Sequence, residues 1–122
     1  MASEENFLDE DGYPTEEALD KIAEWDYTDE TGWFEFIKEL WHLKDYGWEE
    51  KTVPHPWKEN TTVYQYHIST AGWSGNEDII RAMTKNHVLW IICWVQSRRG
   101  GHYIFENRKN GLVENERLRR ID

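Results

Sequence analysis

The fold is decided by residues 61–69, which read TTVYQYHIS. Threonine, valine, isoleucine and tyrosine favour extended backbone. Along this stretch the apolar Tyr66 and Ile68 alternate with the polar Gln65 and His67, and a period of two is typical of a strand with one buried face. The segment therefore predicts a half-buried strand within a sheet.

A second stretch, residues 88–95, reads VLWIICWV and is nearly continuous apolar sequence. Such a run is typical of a strand that is covered on both faces. We therefore expect the central strand of the sheet at about residues 87–97, with a hairpin that leads to a return strand at residues 102–106.

The pair Gly100-Gly101 predicts a two-residue hairpin turn, because both central positions of such a turn favour positive φ. This register pairs Arg99 with His102 and Arg98 with Tyr103. Since neighbouring residues of a strand point to opposite faces, the two arginines are expected on opposite faces of the sheet.

Helical spacing of apolar residues occurs both before and after the strand at residues 61–69. Residues 15–26 predict a helix with Thr15 as its N-cap, and a second helix is expected from residue 28 or 29 to residue 44. Ser74 and Glu77 form a capping-box pattern before a further helix. The order of elements indicates an α+β fold, in which N-terminal helices and one helix after residue 74 pack against a small antiparallel sheet.

The length of 122 residues fits a single domain that spans residues 1–122. Within it, residues 1–13 are expected to form an acidic extended arm, and residues 107–122 a basic tail. Residues 48–53 predict one more short strand, which ends at Pro54 because proline cannot donate to a central ladder.

The net charge of −10 is divided unevenly along the chain. Residues 1–60 hold five Lys and Arg against 18 Asp and Glu, a net charge of −13, whereas residues 61–122 hold nine against six, a net charge of +3. Because the acidic half repels nucleic acid, we expect no direct DNA binding through it. In a simpler interpretation, the acidic residues only keep two helices solvated.

The sequence predicts neither a membrane segment nor secretion. The longest purely apolar run, residues 88–95, is shorter than the roughly 20 residues that span a bilayer. The acidic residues 1–11 lack the basic start and apolar stretch of a signal peptide. Cys93 is the single cysteine and forms no intramolecular disulfide. We therefore expect a soluble, cytoplasmic protein.

The junction between the strand at residues 61–69 and the helix that follows it reads STAGWSGNE, residues 69–77. Free backbone N–H groups at a helix start, beside hydroxyls and glycines, form a natural site for phosphate or carboxylate. We therefore place Trp73, Ser74, Gly75 and Asn76 in a candidate ligand-binding site. The same residues also fit a structural role, in which Ser74 caps the helix and Trp73 fills the core.

The hairpin supplies the second candidate element, with Arg98, Arg99, His102 and Tyr103 at one tip. Guanidinium, imidazole and phenol groups bind phosphate or stack on a base. If the hairpin folds over the junction, the combined pocket suits a nucleotide-like ligand. The alternative is a solvated hairpin end with a cation–π pair between Arg98 and Tyr103.

The motifs favour a binding protein over an enzyme. The five histidines lack metal-ligand spacing, so we predict no metal, and no cofactor motif is present. Cys93 lies in apolar sequence, where a thiol is a poor nucleophile. Ser74 lacks the Gly-x-Ser-x-Gly context, and no catalytic residue is assigned. A small hydrolase that uses His67 or His102 as its base has the least support.

Two strings, HISTAGWSGNE at residues 67–77 and CWVQSRRGGHY at residues 93–103, resemble small phage-encoded and prophage-encoded proteins of unassigned function, including ones from phages of actinobacteria. The resemblance extends from DEDGYP at residues 9–14 to about Phe105. It carries no catalytic role. It implies a phage accessory protein in the host bacterial cytoplasm, and such proteins often neutralise host functions, including immune systems.

Two functions are in competition. The first is non-enzymatic binding of an anionic small molecule, such as a nucleotide immune signal that the protein sequesters. The alternative is inhibition of a host defence or nucleic-acid-handling complex through the acidic helices, with Glu16, Glu17, Asp20 and Glu24 as partner-binding residues. The surplus of tryptophans also makes a homodimer possible.

Overall fold

The computed structural model describes residues 7–55 and 57–107, so the predicted basic tail beyond residue 107 lies outside the described residues. Within them the chain forms five helices and four strands. In chain order, these elements are α1 (Glu16–Ala23), α2 (Glu30–Leu40), α3 (Lys44–Gly47), β1 (Trp48–Pro54), β2 (Thr62–Ser69), α4 (Ser74–Lys85), α5 (His87–Cys93), β3 (Trp94–Arg98) and β4 (His102–Asn107).

The four strands form one antiparallel sheet in the order β1-β2-β4-β3. The predicted strand at residues 61–69 is confirmed as β2, which pairs with β1 on one side and β4 on the other. The short strand predicted at residues 48–53 is confirmed as β1. The α+β class and the antiparallel sheet are therefore as expected.

The core lies between the helices and one face of the sheet. Phe34 of α2 stacks on Tyr66 of β2, with ring centroids 4.0 Å apart, and lies 5.6 Å from Phe105 of β4. Ile22 of α1 and Met83 of α4 are fully buried in the same cluster. Burial of side chains of this size contributes about 1.5–3 kcal/mol each, so this single layer of contacts holds the helices on the sheet.

The expected central strand at residues 87–97 is wrong in two respects. Residues 87–93 form α5, and the strand that follows, β3, lies at the edge of the sheet. A short apolar run does not distinguish a strand from a helix by its periodicity. Leu89 and Cys93, four residues apart, are buried as on one helix face, while Ile91 is 77% exposed. The Asn86 side chain accepts a hydrogen bond from the Leu89 N–H at 3.3 Å and caps this helix.

The glycine turn is confirmed, but its register differs from the expected one. Gly100 and Gly101 have φ values of +82° and +79°, yet Arg98 rather than Arg99 pairs with His102. The loop therefore contains three residues, 99–101. Because directly paired residues point to the same side, Arg98 and His102 share one face of the sheet. The expected pairing of Arg98 with Tyr103 is wrong, and a shift of one residue is enough to change the face.

The N-terminal residues that the structure describes fold back instead of extending. The Asp9 carboxylate accepts hydrogen bonds from the N–H groups of Asp11 and Tyr13, both at 2.9 Å. The ring of Phe7 packs edge-on against Phe36 of α2, with centroids 5.1 Å apart. Residues 7–13 of the expected extended arm are therefore a turn that is anchored on the helical layer.

Three helix boundaries differ from the sequence pattern, and the first is the end of α1 at Ala23 rather than at residue 26. The second helix ends at Leu40, short of residue 44, because Trp41 adopts extended backbone at φ −70° and ψ 125°. Ser74 is not an N-cap, since α4 begins at Ser74 and its cap residue, Trp73, makes no side-chain hydrogen bond. The N-cap predicted at Thr15 is confirmed by the hydrogen bond that its side chain accepts from the Ala18 N–H at 3.2 Å.

The helical assignment of α5 is tested by a pair of alanine substitutions. Leu89→Ala is expected to lower the free energy of unfolding by about 2–5 kcal/mol, because it leaves a cavity in the core. Ile91→Ala should change it by less than about 0.5 kcal/mol, because that side chain is exposed. Chemical denaturation of both variants measures the difference. On a strand these two residues share a face, so equal losses would contradict the helix.

Candidate functional site

The face of the sheet that points away from the helices is largely polar. Alternation along β2 places Gln65, His67 and Ser69 on this outer face. Pairing with β1 brings Glu49 beside His67, and pairing with β4 brings His102 beside Ser69. Side chains from three neighbouring strands therefore meet on one face of the sheet.

A pocket of about 330 Å³ opens on this outer face. Ile104, which is only 7% exposed, lies at its base beside His67. At the rim, the ring of Tyr46 in α3 is 81% exposed and free to stack on a flat ligand. We call this site the sheet-face pocket, and the polar residues of its lining include Tyr46, Glu49, His67, Ser69, Arg98, His102 and Tyr103.

A chain of hydrogen bonds fixes the protonation of His67. The Gln65 Nε2 group donates to the Glu106 carboxylate at 3.1 Å, so the Gln65 oxygen is the atom that lies 2.8 Å from His67 Nε2. An amide oxygen only accepts, and His67 Nε2 must therefore carry the hydrogen. In the neutral ring, Nδ1 is then left as an acceptor.

The surroundings of His67 favour that neutral ring. Burial lowers the pKa of His67, and the positive charges of Lys51 and Arg98 lower it further, while the Glu49 carboxylate opposes them. The net effect holds the pKa of His67 below its usual value near 6.5. The imidazole is therefore uncharged at neutral pH and lines the pocket as a hydrogen-bonding group rather than a cation.

The hairpin is attached to the connection between β2 and α4. The Thr70 N–H donates to the Gly101 carbonyl oxygen at 3.0 Å. A side chain at position 101 would collide with the Thr70 hydroxyl, and the positive φ at this position also favours glycine. The two candidate elements predicted from sequence are thus neighbours in space.

Arg98, His102 and Tyr103 of the predicted site line the sheet-face pocket. Arg98 and His102 are cross-strand partners and present their side chains together. Arg99 lies in the exposed loop and is not among the lining residues. The hairpin therefore delivers one guanidinium to the pocket, where the sequence suggested two.

Trp73, Ser74, Gly75 and Asn76 lie outside the sheet-face pocket. The indole of Trp73 lies between the rings of Tyr13 and His42, at 4.5 and 4.2 Å, and covers the buried Gly75. Ser74 is exposed at the start of α4. The start of this helix is therefore taken up largely by internal packing.

Asn76 has a structural partner for each polar atom of its side chain. Its Oδ1 accepts from the His42 N–H at 3.0 Å, and its Nδ2 donates to the carbonyl oxygens of His42 at 3.1 Å and Thr70 at 3.4 Å. The side chain is fully buried. Asn76 therefore joins three chain segments and presents no polar atom to a ligand.

The acidic residues proposed for partner binding are all accessible. Glu16, Glu17, Asp20 and Glu24 are exposed along α1 and just after its end. Positions 16, 20 and 24 recur at a spacing of four, so these carboxylates follow one side of the helix. Their arrangement forms a negative strip on the helical layer, apart from the sheet-face pocket.

Glu50 is the centre of a second polar cluster, at the other face of β1. It accepts hydrogen bonds from Trp48 Nε1 at 2.8 Å and from the Tyr64 hydroxyl, and it pairs with Lys38 at 3.1 Å. Burial raises the pKa of Glu50, but these bonds outweigh it and leave that pKa lowered. Burial and the bond to Glu50 raise the pKa of Tyr64 to about 12. The groups satisfy one another and brace β1 and β2 against α2.

No protein-family model, curated protein or solved structure matches this chain. Among residues 7–55 and 57–107, no group of three or more His, Cys, Asp and Glu side chains is arranged to hold a metal ion. No helix in the described part of the chain is long and apolar enough to cross a membrane. Fold and site thus define a small α+β protein with helices on one face of its sheet and a polar pocket on the other.

Only Arg98, His102 and Tyr103 of the lining were assigned to the site from the sequence, and the polar residues that were missed include Tyr46, Glu49 and Ser69. His67 was considered only as a catalytic base. The alternation of residues 61–69 already placed His67 and Ser69 on one face. Their approach to Arg98 and His102 depends on the pairing of β2 with β4, which no local pattern encodes.

The lowered pKa of His67 makes stability depend on pH. The unfolded chain binds the proton at about pH 6.5, before the folded chain does, so the stabilising contribution is complete above that pH and is lost as the pH falls through the folded pKa. When the pH is lowered from about 7.5 to about 5.5, the free energy of unfolding should fall less in His67→Gln than in the unmodified protein. Urea denaturation at both pH values measures this, and equal losses would contradict the assignment.

Proposed function

We propose that the protein binds an anionic, nucleotide-like small molecule in the sheet-face pocket and does so without turnover. The observation that supports this most directly is the placement of Arg98 and His102 side by side on the pocket wall. A guanidinium binds phosphate or carboxylate with two parallel hydrogen bonds. Tyr46 at the rim and Ile104 at the base give a flat ring an aromatic and an apolar surface.

Binding without catalysis is supported by the hydrogen bonds that the serine and the histidine of the pocket already make. The Ser69 oxygen accepts a hydrogen bond from the Ala71 N–H at 3.3 Å, and His67 Nε2 is bonded to Gln65. An activated serine nucleophile requires a hydrogen bond to a base. Among the described residues, no hydrogen bond joins Ser69 to a histidine.

The biological setting of the proposal comes from the resemblance to phage-encoded proteins. A phage accessory protein in the host bacterial cytoplasm gains from removing a small signalling molecule of the host's immune response. A binder needs no catalytic group for this, only an excess over the signal. A nucleotide immune signal is the anionic ligand that suits both the setting and the pocket.

Arg98→Ala and Arg99→Ala form a matched pair of substitutions for this proposal. Each removes one positive charge from the same hairpin, but only Arg98 lines the pocket. Thermal melting against linear and cyclic nucleotides should show a stabilisation of roughly 2.7 kcal/mol at about 100 times the dissociation constant. Arg98→Ala should lower the affinity for the nucleotide roughly tenfold to a hundredfold, whereas Arg99→Ala should leave that affinity unchanged. Equal effects, or a panel without any shift, would contradict the proposal.

The second candidate function is inhibition of a basic host protein complex through α1. The exposed strip of Glu16, Glu17, Asp20 and Glu24 favours it, because such a strip complements a surface that binds nucleic acid. Exposed interfacial charges act mainly on association rate and salt dependence.

Replacing Glu16, Glu17 and Glu24 with Gln and Asp20 with Asn tests this function. The substitutions should weaken capture of a host partner and reduce its sensitivity to salt, because the attraction is electrostatic. The four substitutions lie outside the core, so the melting temperature of the protein serves as the control for folding. Capture that is unchanged in strength and salt sensitivity would exclude the strip as the interface.

A further inference from the structure

We infer that the sheet-face pocket selects a bipolar ligand, with an anionic group at the Arg98 end and an N–H donor at the His67 end. Among nucleotides, this describes a base with an exocyclic amino group rather than a carbonyl at the same position. The inference rests on the proposed function, since it names the ligand class for the same pocket.

The acceptor end of the pocket follows from the hydrogen-bond chain. Glu106 and Gln65 hold the hydrogen of His67 on Nε2, and Nδ1 keeps its lone pair. The cross-strand neighbour of His67 is Glu49, whose carboxylate only accepts hydrogen bonds. Two acceptors therefore lie on neighbouring strands at this end of the lining, and they favour a ligand that presents N–H donors there, although the exposed Glu49 also pairs with Lys51.

The charged and polar side chains of the pocket are arranged along the same axis, from the Arg98 end to the His67 end. Arg98 and His102 lie on β3 and β4, whereas His67 and Glu49 lie on β2 and β1. Lys51 approaches Glu49 at 3.8 Å across an exposed ion pair, which offsets part of the carboxylate charge but supplies no acceptor. A carbonyl oxygen or a second phosphate at the β1 side would face a carboxylate and a lone pair.

The distance between the two ends fits a ligand of this kind. Neighbouring strands are about 4.8 Å apart, so Arg98 on β3 and His67 on β2, which are separated by β4, stand roughly 10 Å apart across the sheet. Arg98 is level with Ser69, so it is also offset from His67 by two residues, or about 7 Å, along the strands. Glu49 on β1 adds about 5 Å more. A pocket of about 330 Å³ lies at the lower limit for small-molecule sites, which favours a single nucleotide over a larger molecule.

The test compares amino and keto bases on an identical phosphate. Calorimetric titration of the full chain uses adenosine and inosine monophosphate, cytidine and uridine monophosphate, and inorganic pyrophosphate as a probe of the anionic end alone. We expect the amino member of at least one pair to bind about tenfold more tightly than its keto partner, because an amino group offers two N–H donors to this end, whereas the keto base offers one ring N–H and turns a carbonyl oxygen toward the acceptors. Pyrophosphate should bind to the unmodified protein, and Arg98→Ala should weaken that binding.

Two substitutions connect that preference to the acceptor end. Glu49→Gln adds a donor to this end and should reduce the preference for the amino base, whereas Glu39→Gln, an equal charge change on α2 away from the pocket, should not. Gln65→Leu should mix the two neutral tautomers of His67 in ¹⁵N NMR and weaken the preference, without changing pyrophosphate binding.

The outcomes separate this inference from the proposed function. Equal binding of amino and keto bases, still lost in Arg98→Ala, would overturn the bipolar ligand and leave an anion-binding pocket. Absence of binding by every nucleotide and by pyrophosphate would overturn both. An amino preference that survives Glu49→Gln and Gln65→Leu together would also overturn the inference, because the acceptors named here would then not be its source.

Discussion

The buried amide of Asn76 is the interaction on which the rest of the structure depends. Its three hydrogen bonds tie the first turn of α4 to the main chain at His42 and Thr70. A buried polar group that loses its partners costs about 1–3 kcal/mol, and here one side chain satisfies backbone groups of two other segments. The amide thereby fixes where the helical layer ends and where β2 leaves the sheet.

The sheet-face pocket is a consequence of that junction. Thr70 follows the last residue of β2 and donates to Gly101, so the junction that Asn76 stabilises also holds the hairpin tip. The hairpin in turn sets the register in which Arg98 and His102 stand beside Ser69. Packing on one side of the sheet and the polar pocket on the other are thus connected through a few hydrogen bonds.

The sequence predicted those features that depend on local backbone preference, such as the alternation of β2, the glycine turn and the Thr15 cap. It failed where tertiary contacts decide. Residues 88–95 are apolar throughout, and only packing against the core selected the helix face of Leu89 and Cys93. Asn76 is a second example, in the candidate site. A polar residue near a helix start can bind a ligand or make buried structural hydrogen bonds, and the sequence does not distinguish the two until its neighbours are known.

The confinement of the helices to one side of the sheet has an evolutionary consequence. The side chains that point outward from β1, β2 and β4 are not part of the buried cluster, although Val63 and Ile104 among them are themselves buried. Substitutions among them carry a small penalty in folding free energy, since exposed positions tolerate exchange. Descendants of this chain can therefore vary the chemistry of the outer surface while inheriting the same scaffold.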